Sequence, residues 1–139
     1  MKRVFAAIII ILLGCGTTTL PYRAYLGSWG GKVDGPDKTY VTIPAKALTE
    51  QTEIYILENT GLSNLPANTL KVYMIGTTGI KLKAPAVFAV PSGLCKPAKW
   101  SLKGTEPWSD MPEEKNCPAG FTCADLTVLG SVACTKEDK

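Results

Sequence analysis

Thirteen glycines and ten prolines in 139 residues recur at short intervals past residue 15, and that punctuation favours strands and turns over long helices. Between the breaks lie short runs of threonine, valine and isoleucine, residues that suit a pleated, half-buried surface. After the turn signal Asp34-Gly35-Pro36-Asp37 comes Tyr40-Val41-Thr42-Ile43-Pro44, then Glu53-Ile54-Tyr55-Ile56-Leu57 and a loop, 58–68, rich in Asn, Gly, Ser and Pro. Leu70-Lys71-Val72-Tyr73-Met74-Ile75 alternates most clearly, Ile80-Lys81-Leu82-Lys83 alternates again, and Ala86-Val87-Phe88-Ala89-Val90 is an apolar run closed by Pro91. Only 45–51 could form a helical turn. Six or seven such strands predict an all-β chain, an immunoglobulin-like β-sandwich.

The N-terminus reads differently. Met1-Lys2-Arg3 is basic, 4–13 is uninterruptedly apolar, and Gly14-Cys15 supplies a small-residue junction. The apolar run is about half the roughly twenty residues that span a bilayer, so residues 1–14 are expected to be a cleaved signal peptide. Leu12-Leu13-Gly14-Cys15 resembles the lipobox of bacterial lipoproteins, with Leu13 where a smaller residue is commoner. The resemblance implies a diacylglycerol on the Cys15 thiol, removal of 1–14 and acylation of the new amino terminus. Two or more chains hold a protein stably on a membrane. Gly16 is compatible with sorting to the outer membrane, so the expected location is the bacterial envelope, with 15–28 as a lipidated tether.

Charge and composition exclude more than they assign. The chain has no histidine, so it cannot supply Ser-His-Asp or Cys-His catalysis or a neutral-pH imidazole base. Lys2 and Arg3 contribute two of the charges behind the net +3, and beyond residue 14 Arg23 is the only arginine. No basic cluster remains for nucleic acid. The carboxylate pairs are Glu113-Glu114, in a Pro-rich polar stretch, and Asp34 with Asp37, in a turn that favours Asp for its backbone hydrogen bonds. The expectation is a non-enzymatic protein without a cofactor.

With Cys15 set aside for lipid, Cys95, Cys117, Cys123 and Cys134 form an even set with 21, 5 and 10 residues between them. Structural zinc sites begin with ligands two to four residues apart, and an exported chain meets oxidising conditions, so two disulfides are expected and no metal. Three connectivities are possible; Cys95–Cys117 with Cys123–Cys134 is preferred. Residues 95–139 are expected to be a stapled extension, packed on a core spanning 29–94 through Leu126-Thr127-Val128-Leu129 and Val132. Reduction should then loosen the extension before the core.

Three further pieces stand in fixed order: Gly35-Pro36-Asp37, then Val41-Thr42-Ile43-Pro44-Ala45-Lys46-Ala47-Leu48, then Gly76-Thr77-Thr78-Gly79-Ile80-Lys81-Leu82-Lys83-Ala84-Pro85. Together they resemble the ZU-type β-sandwich of ankyrins and netrin receptors and its relatives in bacterial envelope lipoproteins. The chain departs from that pattern at Lys46, Thr77 and Leu82, where glycine, proline and phenylalanine are usual. The resemblance covers roughly 30–91 and implies a sandwich core.

Sequence reading therefore expects a structural or protein-interaction module, its partners the membrane through the lipid and an envelope protein or peptidoglycan. Trp100 and Trp108 offer an alternative. Their ordinary role is packing, since burying an indole is strongly favourable, but as a stacking platform they would bind cell-wall glycan.

Overall fold

The computed structural model describes residues 22–137. Cys15, residues 1–14 and the first part of the expected tether lie outside the described residues.

Ten strands follow one another: β1 (Arg23–Leu26), β2 (Gly31–Asp34), β3 (Tyr40–Ile43), β4 (Thr52–Glu58), β5 (Thr69–Gly76), β6 (Lys81–Pro91), β7 (Lys96–Ser101), β8 (Ser109–Asp110), β9 (Phe121–Val128) and β10 (Ser131–Thr135). They form two antiparallel sheets, a six-stranded one ordered β1-β4-β5-β10-β7-β8 and a four-stranded one ordered β2-β3-β6-β9. The chain is an all-β sandwich.

Period-two patterning explains the layering. Ile54 and Ile56 on β4 and Tyr73 and Ile75 on β5 turn inward from the larger sheet; Val41 and Ile43 on β3 and Ala86, Phe88 and Val90 on β6 face them from the smaller. Tyr73 and Phe88 meet edge to face across the core, ring centroids 5.7 Å apart. Fully burying a side chain of the size of Phe88, Ile54 or Ile56 contributes about 1.5–3 kcal/mol, so the central strands carry most of the hydrophobic stabilisation.

Several expectations change. The runs at 80–83 and 86–90 are one strand, β6, with a register irregularity between Lys81 and Ala86. Pro85, which has no N–H to donate, sits within that break. Residues 45–51 are not helical, and the short turn Pro36–Lys38 has positive φ at Asp37 and Lys38. The expected tether is shorter than 15–28, because β1 already pairs with β4 from Arg23 onward.

The largest correction concerns residues 95–139. They do not pack on a finished core. β10 lies between β5 and β7 and β9 completes the smaller sheet beside β6, so the C-terminal third is part of both layers. Leu126, Leu129 and Val132 are core residues, as expected, but they reach the core from within the sheets. The physical reason is that β10 fills the middle of the larger sheet, giving β5 and β7 the backbone partners they would otherwise lack.

The long loops close the remaining surfaces. Residues 112–114 run along the free edge of β9: the Asp125 N–H donates to the Pro112 carbonyl at 2.9 Å and the Glu114 N–H to the Cys123 carbonyl at 3.1 Å. On the outer face of the larger sheet Leu62 reaches over Gly104 and Ser131, and Val72 and Ala133 are buried there.

Candidate functional site

All four C-terminal cysteines are bridged, as Cys95–Cys134 and Cys117–Cys123, with Cα–Cα distances of 5.4 and 5.7 Å. The preferred pairing of Cys95 with Cys117 and Cys123 with Cys134 is therefore wrong. Cys123 lies on β9 opposite Ala89, on the outer side of the smaller sheet, whereas Cys134 lies on β10 in the core. Facing sheets stand about 10 Å apart, beyond the roughly 7 Å Cα–Cα limit of a disulfide. Cys95 directly precedes β7, whose Pro97 stands opposite Cys134 in the ladder. The bridge closes that seam from inside.

Trp100 and Trp108 do not make one platform. Trp100 stands opposite Val132 on β7 and packs against the core. Trp108 instead lines a groove together with Leu65, Pro66 and Lys99; Lys99 precedes Trp100 on the strand, so its side chain takes the opposite face. The Trp100 indole lies so close to Gly130 that a Cβ there would come within 2.8 Å of its Nε1. Both indole N–H groups are shielded and without an acceptor. Trp100 borders a cleft of about 200 Å³ with Met111, Asp125, Leu126 and Val128, between the β8 and β9 edges. Trp108 borders a separate groove on the outer face.

Of the sequence-predicted carboxylates, Asp37 and Glu113 tie separate parts of the chain together. Asp37, in the left-handed region at φ 59°, accepts a hydrogen bond from Lys71 Nζ at 2.7 Å and from the Tyr73 hydroxyl at 2.8 Å. Those two bonds hold its carboxyl below the usual carboxylate range, while burial and the same carboxylate raise the Tyr73 phenol. Lys71 also reaches Glu58 at 3.5 Å. The result pins the Pro36–Lys38 turn to β5. Asp34 makes only a long contact with Lys32 at 3.8 Å, and Glu113 pairs with Lys96 at 3.4 Å. Asp125 is raised by burial first and by the neighbouring Glu114 charge second. Among the described residues no group of three or more His, Cys, Asp or Glu could hold a metal ion.

One surface escaped the sequence reading. Trp29 is 90% exposed, Tyr25 65% and Tyr22 42%, all on β1 and its flanking residues. The Trp29 turn is built firmly: the Gly30 N–H donates to the Gly27 carbonyl at 3.0 Å and the Lys46 N–H to the Ser28 carbonyl at 2.6 Å. Gly30 has φ 74°, and a Cβ there would sit 2.2 Å from the Ile43 carbonyl oxygen, so the turn demands glycine. Beside it, on the outer face of the larger sheet, Arg23 pairs with Glu53 at 3.1 Å and lies over the Tyr55 ring. Leu57 and Leu70 are exposed on the neighbouring strands. The signal in the sequence is Tyr22, Tyr25 and Trp29 in close succession; Tyr22 and Tyr25 fall in the expected tether 15–28, and Trp29 is the first residue of the expected core.

No family model matches the chain, and no curated protein matches it significantly.

Proposed function

We propose that the protein is a lipid-anchored bacterial envelope lipoprotein whose sandwich serves as a non-catalytic structural or protein-interaction module. The observation that carries this reading is the allocation of thiols. Both bridges use C-terminal cysteines, so the fold makes no demand on Cys15, the residue that ends the lipobox-like Leu12-Leu13-Gly14-Cys15. Disulfides themselves favour an exported protein. Residues 16–22 separate Cys15 from β1 and span at most roughly 25 Å when extended, so the sandwich stands close to the membrane that holds the lipid. The likeness to ZU-type sandwiches adds the expectation of a protein partner.

Membrane fractionation tests the reading. The native chain should sediment with envelope membranes, and Cys15→Ala should leave an uncleaved precursor that accepts no palmitate label. A Cys15→Ala protein that is still processed and still labelled contradicts it.

A further inference from the structure

We infer that the aromatic edge formed by Tyr22, Tyr25 and Trp29 rests in the headgroup zone of the bilayer that carries the lipid anchor. The inference extends the proposed anchoring and rests on it for its geometry.

Exposed tryptophan and tyrosine are the side chains that favour the membrane interface, with an apolar body and a polar tip. Here three of them line one edge of the sandwich. Tyr22, the residue before β1, stands at that edge, and its carbonyl accepts the Ile56 N–H at 3.0 Å, which holds it against β4. A connection of residues 16–22 has a root-mean-square reach of about 15 Å as a coil, comparable with the length of β1 itself. With Tyr22 held at the aromatic edge, the short separation from Cys15 in sequence brings that edge to the lipid before any other surface.

Among the described residues the charges along this edge are mixed, with no net acidic patch: Tyr22 shares a groove with Lys32, Lys38, Asp34 and Asp37, the last paired with Lys71. Arg23 and Glu53, beside Tyr25, neutralise each other. Lys46, whose backbone supports the Trp29 turn, is exposed and has no carboxylate partner among the described residues. Trp29 and Tyr22 lie at opposite ends of β1, so engaging both lays the strand parallel to the membrane. The β8 edge, at the other end of the larger sheet, then points away, free for a partner.

The test uses chain 15–139 with both bridges intact, coupled through Cys15, its only unbridged thiol, to maleimide lipid in phosphatidylethanolamine and phosphatidylglycerol vesicles. Vesicles with brominated acyl chains should quench its tryptophan emission relative to unbrominated ones. Trp29→Phe should lose most of that quenching, and Trp108→Phe should keep it. Equal emission in both vesicle types, or quenching that survives Trp29→Phe, overturns the inference. Because the coupling is chemical, this result is independent of whether cells acylate Cys15, so failure of the anchor and failure of the docking are read separately.

Discussion

Cys134, on the strand between β5 and β7, is bonded to Cys95 at a Cα–Cα distance of 5.4 Å, and both residues are buried. The bridge spans a sequence separation of 39, for which the chain-entropy model gives about 4 kcal/mol. Replacing both residues by alanine should lower the unfolding free energy by about that amount. Since β10 belongs to the larger sheet, the loss should appear as one cooperative transition in urea, with fluorescence and circular dichroism coinciding. Non-coincident transitions would show that residues 95–139 unfold on their own.

The second bridge should matter less. Cys117–Cys123 has a sequence separation of 6, and the same model gives about 2 kcal/mol. A Cys117→Ala, Cys123→Ala variant should remain folded at room temperature. A larger loss than that of the Cys95, Cys134 variant, measured in the same titration, would contradict this ordering.

Asp37 and Asp125 should respond to pH in opposite senses. Asp37 is held low by Lys71 and Tyr73, so its contribution is complete above the ordinary carboxylate pKa of about 4 and fades as pH falls through the lower folded value. Asp37→Asn should destabilise by about 1 kcal/mol at pH 7, the partly exposed site reducing the effect. The difference from the native chain should shrink below about pH 3. Asp125 is raised by burial and by Glu114, so ionising it costs stability as pH rises from the ordinary value through the folded one. Asp125→Asn should therefore stabilise the protein at pH 7 and lose that advantage in acid. Thermal melts from pH 2.5 to 7 check both signs.

Gly76 lies beneath Tyr55, its direct neighbour on β4. A Cβ at this position would come within 2.0 Å of the ring. Gly76→Ala should cost about 1–3 kcal/mol through overpacking, and less in a Tyr55→Ala background. Additive losses in that double-mutant cycle would show that the contact does not set the cost.

The strands legible in the sequence were those whose alternation was strong: 40–43, 53–57 and 70–75 match β3, β4 and β5 closely. The C-terminal strands were missed for a physical reason. Phe121-Thr122-Cys123-Ala124-Asp125-Leu126 on β9 mixes polar and apolar residues on both sides: Cys123 on the outer side is bridged to Cys117, and 112–114 pair along the strand's edge. Ser131-Val132-Ala133-Cys134 on β10 is nearly all buried yet too short to show a period. Both of its faces are buried, and on the outer one Leu62 and Ser131 both approach Gly104, a proximity no local pattern announces. Disulfide pairing was likewise illegible, since it depends on which sheet each cysteine joins. Trp100 packs against the core while bordering a cleft, and the exposure of Tyr25 follows from the pairing of Arg23–Leu26 as an edge strand of the larger sheet.

Mass spectrometry of the intact protein extracted from envelope membranes tests the proposed anchoring most directly. The account predicts a chain that begins at Cys15, with diacylglycerol on its sulfur and an acyl group on its amino terminus. A chain that retains Met1, or one that begins beyond residue 14 with no lipid on Cys15, would contradict it.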